Sequence, residues 1–161
     1  MCGRYLVTAP ADLVQEAFRL AGEPELQPTW NAAPTQHLPV VRATSSGRQL
    51  DLLRWGLVPS WAKDLAIGSR MINARSETAA EKPSFRVALA RRRCLVVTDG
   101  FYEWKRDGDR KRPFCIRMAD DRPFGLAGLW ESWTSPEEES VETFTILTTT
   151  PTPLMAELHD R

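Results

Sequence analysis

The chain has 161 residues, 42% hydrophobic and 26% charged, enough for one domain with a real core. Its 21 basic and 21 acidic side chains cancel, and Cys2, Cys94 and Cys115 form no C-x-x-C pair, so neither a disulfide framework nor a zinc site is indicated. No window approaches the ~18 apolar residues of a membrane span and no secretory leader is visible, so a soluble, cytoplasmic protein without a membrane partner is expected.

The opening stretch, Met1-Cys2-Gly3-Arg4-Tyr5, places a thiol directly after the initiator methionine. Without Met1, Cys2 carries two nucleophiles on adjacent carbons, a thiol and an α-amine, both partly active near neutral pH in an ordinary setting. An aldehyde is the natural partner of such a pair. The amine forms a Schiff base, and the thiol closes onto the same carbon to give a five-membered thiazolidine. By position alone, Cys2 is also simply a small residue after the start.

Tyr5-Leu6-Val7 is a short apolar run. Thr8 and Pro10 then start a helix on which Leu13, Val14, Ala17, Phe18 and Ala21 share a face, with Gly22 as its end. Asn31-Ala32-Ala33-Pro34-Thr35 reads as a turn. Leu38-Pro39-Val40-Val41 and Leu50 to Trp55 form a hairpin across Ser45-Ser46-Gly47.

Trp55 to Asp64 packs two indoles around a glycine and a proline, a rigid aromatic loop whose rings could stack on bases, although tryptophan is more often a core or rim residue. Ile72-Asn73-Ala74-Arg75 ends an apolar run with an amide and a guanidinium two apart, which share a face on a strand. A helix is expected from Ser84 through Arg93. Cys94 to Val97 is a buried-strand run, and Asp99-Gly100 turns it into Phe101-Tyr102-Glu103-Trp104-Lys105. There Glu103 is either a carboxylate held within an apolar region, suited to proton transfer, or one half of a surface ion pair with Lys105 or Arg106.

Asp107-Gly108 turns a second hairpin that returns through Pro113 to Met118. Phe124 to Trp130 and Thr143 to Thr149 are further strands, separated by an acidic surface loop from Ser135 to Glu142. Pro153 starts a short helix carrying Met155, Leu158 and His159. Charge is distributed unevenly, with ten basic and four acidic residues from Lys82 to Arg112 but two and nine from Ala119 to Arg161. The basic middle suits an anionic ligand such as nucleic acid, or is a solvated face. Hairpins outnumber any β-α-β pattern, which predicts an α+β fold on a mostly antiparallel, curved or barrel-like sheet with a few flanking helices.

Six motifs in order, Met1-Cys2-Gly3-Arg4-Tyr5, Asn31-Ala32-Ala33-Pro34, Trp55 to Trp61, Ile72-Asn73-Ala74-Arg75, Asp99 to Trp104 and His159-Asp160-Arg161, resemble the SOS-response-associated peptidases, the SRAP family. The resemblance runs from Cys2 to Arg161, within a single domain over residues 1–161. It implies a monomeric sensor of abasic sites in single-stranded DNA, nucleoid-associated when bound, which traps the ring-opened sugar as a thiazolidine with Cys2 after Met1 is lost.

By the same resemblance, Asn73 orients Cys2 and the opened sugar, Glu103 moves protons during Schiff-base formation and ring closure, and His159 handles the proton at the sugar oxygen. Arg4, Arg75 and Arg161 correspond to phosphate clamps. Asn31, Pro34 and Trp61 correspond to surfaces where the flanking DNA kinks and stacks. Self-processing that releases Met1 and some strand cleavage by β-elimination are implied as well. The family usually continues past His-Asp-Arg into a further tail, and some members carry a basic residue where Pro83 stands, beside Lys82. No cofactor or metal is expected. The alternatives are a thiol peptidase acting on other proteins, with His159 as base, and a non-catalytic single-stranded nucleic-acid binding module.

Overall fold

A computed structural model of the chain describes residues 2–160. In chain order its strands are β1 Tyr5–Val7, β2 Thr29–Ala32, β3 His37–Thr44, β4 Gly47–Trp55, β5 Asn73–Arg75, β6 Arg93–Thr98, β7 Gly100–Asp107, β8 Arg110–Ile116, β9 Phe124–Thr134 and β10 Ser140–Thr148. The helices are short: α1 Ala11–Phe18, α2 Ser76–Ala79, α3 Arg86–Arg91 and α4 Pro153–Ala156, with a 3-10 turn over Leu65–Arg70. Among the described residues, no helix is long and apolar enough to cross a membrane. The expected α+β architecture on a barrel-like, mostly antiparallel sheet is the one observed.

Five strands, in the order β4-β3-β6-β9-β10, close into a barrel because β10 also pairs with β4, through Thr143 with Arg54 and Phe144 with Trp55. That seam is parallel, and so is the pairing of β5 with β10. Closure removes the exposed strand edges that invite aggregation. The β3–β4 hairpin forms as expected, with Thr44 opposite Gly47 across a two-residue loop.

A second, antiparallel sheet, in the order β2-β1-β7-β8, leaves the barrel where the chain passes from β6 to β7. The hinge is Asp99, buried to 1% exposure, whose carboxylate accepts the Thr8 amide at 2.7 Å and lies 3.5 Å from the Arg117 guanidinium. Beside it the Thr98 hydroxyl donates to the Leu6 carbonyl at 2.8 Å. Polar groups buried at this change of sheet are therefore paired, as burial requires. Gly100 follows because a Cβ there would stand 2.8 Å from Arg117 Cγ and 3.0 Å from the Ile116 carbonyl oxygen.

One core spans both sheets. Tyr5 and Val7 of β1 pack with Val40, Trp55, Val96 and Phe144 of the barrel and with Val14 and Phe18 of α1. Trp55 is fully buried, its ring 5.1 Å from Tyr5 and 6.2 Å from Phe144, and its indole donates to the Ile72 carbonyl at 2.9 Å. Full burial of side chains this large stabilises the fold by about 1.5–3 kcal/mol each.

Several local expectations need correction. α1 ends at Phe18, not at Gly22, because Arg19 adopts a left-handed conformation (φ 54°) and the Leu20 amide bonds back to the Gln15 carbonyl. Asn31 and Ala32 belong to β2; the turn lies after them, where the Gln36 side chain accepts the Ala33 amide at 2.9 Å. α3 stops at Arg91 because Arg93 already pairs with Leu129 in the barrel. Glu142 is a strand residue whose carboxylate accepts Arg42 at 2.7 Å, so the acidic loop is shorter than expected.

Candidate active site

Cys2 lies just ahead of β1, and backbone pairing decides where it goes. Tyr5 pairs with Phe101 and Leu6 with Gly100, while the Tyr102 amide donates to the Arg4 carbonyl at 2.9 Å. The start of the chain is thereby laid along β7, next to Glu103. On its other side stands β5, where the Asn73 side-chain amide donates to the Cys2 carbonyl at 2.8 Å. β5 is held in place by its register on β10, with Asn73 opposite Ile146, and by the Ile146 amide bonding to the Ile72 carbonyl at 3.1 Å. Cys2 therefore occupies the seam between the two sheets.

The seam is tightly closed. Cys2 is 7% exposed and its thiol contacts the Arg4 carbonyl at 3.8 Å. Burial, reinforced by the negative charge of Glu103, pushes the thiol pKa up to about 12. At neutral pH the resting thiol is protonated, unlike the thiolate of a Cys–His peptidase pair. Glu103 is itself 3% exposed, so the surface ion-pair alternative does not hold. The remaining acceptor of Asn73, its Oδ1, is buried without a hydrogen-bond partner among the described residues.

His159 follows α4, with its amide bonded to the Met155 carbonyl and its Nδ1 2.8 Å from the Asp160 carboxylate. α4 is set by Pro153 at its start and by the Thr152 hydroxyl, which caps the Met155 amide at 3.3 Å. His159 and Glu103 line one cavity of about 650 Å³, together with Trp104, Arg106, Lys111 and Leu158. Cys2, Asn73, Glu103 and His159 thus come from four separate segments, three of them joined by direct contact or charge and the fourth by the shared cavity.

The residues carried over for DNA are spread more widely. Asn73 and Arg75 line a second cavity of about 390 Å³, where they are joined by Arg70 and Lys82. Arg4 is half-buried and donates to the Gly3 carbonyl at 2.8 Å. Asn31 is exposed on β2, Pro34 half-buried in the following turn, and Trp61 58% exposed. Met1 and Arg161, called for processing and for a phosphate clamp, lie outside the described residues. Sequence reasoning did not anticipate Lys111 as a wall of the Glu103 cavity or Arg70 as a wall of the second. The basic stretch from Lys82 to Arg112 was a signal for Lys111; Arg70, outside it, had none. Among the described residues, no three His, Cys, Asp or Glu side chains group closely enough to hold a metal ion.

The fold, a closed five-stranded barrel joined to a second antiparallel sheet, defines a class, and comparison with known proteins identifies it. The family model described as SOS response associated peptidase (SRAP) matches residues 1–161, and the chain belongs to that family. Among its relatives, the abasic site processing protein YoqW of Bacillus subtilis is 45% identical over 165 residues, spanning 100% of this chain and 74% of that protein. The abasic site processing protein HMCES of Xenopus tropicalis is 29% identical, across 100% of this chain and 61% of that one. A solved protein of Bacteroides thetaiotaomicron superposes with a TM-score of 0.85 at 26% identity, over 98% of this chain and 72% of its own.

Proposed function

We propose that this protein processes abasic sites, binding single-stranded DNA and linking the ring-opened sugar covalently to Cys2. The observation that carries this reading is the Asn73 bond to the Cys2 carbonyl, beside a buried Glu103 whose charge acts on the same residue's thiol. Its names come from relatives called abasic site processing proteins.

The chemistry begins once Met1 has been hydrolysed away and Cys2 has a free α-amine. His159 donates a proton to the ring oxygen as the C1′–O4′ bond breaks, and the C1′ hydroxyl proton replaces it on the imidazole, exposing the C1′ aldehyde. The amine adds to that carbon, and loss of one water gives the Schiff base. Because the buried thiol is protonated at rest, the amine attacks first and sulfur second. The thiol then adds across the C=N bond: a C–S bond forms, the C=N π pair moves to nitrogen, and the thiol proton reaches that nitrogen through Glu103. Aldehyde and cysteine thus become thiazolidine and water, with no redox change. Asn73 holds the Cys2 carbonyl through its amide and offers its unmet Oδ1 to the new amine, fixing both attacks on one carbon.

Phosphate contacts from Arg4, Arg75 and Arg161, with stacking at Asn31, Pro34 and Trp61, position the strand without reading its bases. Release of Met1 by the same residues, and β-elimination from the Schiff base, are side activities of this site. Against the thiol-peptidase alternative stands the upward shift of Cys2, since that chemistry needs a thiolate at rest.

The decisive test incubates processed protein, its loss of Met1 verified by mass spectrometry, with single-stranded DNA carrying one abasic site. A heat-stable crosslink on a denaturing gel, absent in Cys2→Ala and weaker or more labile in Cys2→Ser, is expected. A crosslink undiminished in Cys2→Ala, or none in the processed parent, overturns the reading.

A further inference from the structure

The β7–β8 hairpin carries charge that the fold does not need. Lys105 lies directly opposite Arg112, and Arg106 directly opposite Lys111. Like charges facing each other across paired strands destabilise a hairpin. From residue 105 to 112 there are five cations and two carboxylates, and all eight residues are exposed. None of the five cations forms an ion pair among the described residues. Asp107, opposite Arg110, offsets one charge near the hairpin tip, but the two like-charged pairs before it leave a net positive arm that suits an external anion.

Position says which one. Arg106 and Lys111 form one wall of the cavity that holds Glu103 and His159, and Trp104, 37% exposed, lies between them and Glu103 along the strand. An indole face next to paired cations matches the repeating unit of a nucleic-acid strand, a base to stack on and a phosphate to neutralise.

We propose that this hairpin is an arm for the DNA strand as it leaves the reacting sugar on one side, with Trp104 taking a flanking base and Arg106 and Lys111 the adjoining phosphates. This rests on the abasic-site reading and extends it, placing one flank of the lesion on β7–β8 and leaving the other to the Arg75 side of Cys2.

The test compares the parent with Trp104→Leu and with the double variant Arg106→Gln/Lys111→Gln on three oligonucleotides, with nucleotides on both sides of the abasic site, only 5′ of it, or only 3′ of it. At subsaturating protein, crosslinking by the double variant should fall about tenfold on the two-sided substrate and on only one of the one-sided substrates. Its salt dependence should become shallower by about 1.4 in log–log slope, from about 0.7 per single-strand phosphate lost. Trp104→Leu should show the same flank preference without the change in slope. Thermal melting of the double variant should occur no lower than in the parent, since the like-charged pairs are gone. Unchanged rates and slope overturn the arm, as does an equal loss on both one-sided substrates. If the parent forms no crosslink at all, the abasic-site reading fails separately. Anisotropy with an oligonucleotide carrying an unreactive tetrahydrofuran site then judges the arm by the same affinities and slopes.

Discussion

The Asn73 amide donates to the Cys2 carbonyl across 2.8 Å, joining two residues 71 positions apart and, through them, the two sheets. The bond fixes the residue next to the thiol by its backbone and leaves the thiol and amine themselves unengaged by Asn73's donor. In the proposed reaction this bond is what orients both nucleophiles.

A neutral hydrogen bond of this kind is worth about 0.5–1.5 kcal/mol. Asn73→Ala should slow crosslinking about three- to tenfold with little change in binding to an unreactive DNA analogue. Asn73→Asp, which sets a carboxylate against the Cys2 carbonyl, should be slower still. Rates in single-turnover gels check this, and equal rates for both variants and parent refute the orienting role.

Glu103→Gln separates charge from proton transfer. The Glu103 carboxylate helps to hold the Cys2 thiol up, so its removal should lower that pKa while burial keeps it above the ordinary thiol range. On thiolate supply alone the variant should react faster. With Glu103 as the proton carrier, it should instead react about 10²–10⁴-fold slower. The pH dependence of thiol absorbance and of crosslinking, measured together, decides between the two.

The three thiols should sort by access. At pH 8, iodoacetamide should modify exposed Cys115 first and leave Cys2 and Cys94, both pushed up to about 12, largely untouched. Peptide mapping reads the order. The same shifts set a stability window. The unfolded thiols ionise near 9 while the folded ones stay protonated, so this contribution is complete below pH 9 and lost as pH rises from about 9 to 12. Denaturant midpoints should fall across that range, and less steeply in Cys94→Ala.

Trp55 supports the site from the core. Trp55→Phe removes the indole bond to the Ile72 carbonyl, one residue before Asn73, leaving that carbonyl with the Ile146 amide alone, and should cost about 0.5–1.5 kcal/mol. Crosslinking should slow along with it, because β5 loses an anchor. Urea unfolding and the gel assay measure the two effects; a rate equal to the parent's would disconnect the core from the site.

Gly56 has φ 121°, and a Cβ on it would stand 2.5 Å from the Gly68 carbonyl oxygen. Gly56→Ala should destabilise the protein by about 1–3 kcal/mol, through both strained backbone and that clash. A thermal midpoint unchanged by the substitution would show that the loop gives way.

Much of this molecule was legible locally. Both hairpins announce themselves through short turn residues between apolar runs, and α4 through Pro153, because these depend on neighbouring dihedral angles and nearby hydrogen bonds. The aldehyde chemistry of Cys2 follows from two functional groups on one residue, and the ordered motifs carried the family. Helix ends were misjudged at Gly22 and Arg93, where a left-handed Arg19 and the start of a barrel strand overrode periodicity.

What the sequence determined by itself is the chemistry available: a cysteine beside the start, an amide, a carboxylate and an imidazole in order. What only the tertiary structure decided is their meeting. The parallel seams of β10 with β4 and β5 join segments 73 to 89 residues apart, from Ile146 with Asn73 to Thr143 with Arg54. No local pattern encodes such pairings, because their register is set by which faces pack together in the core. Burial works the same way. The pKa of Cys2 and the enclosure of Glu103 are sums over atoms contributed from the whole chain, and they exist only once the barrel has closed.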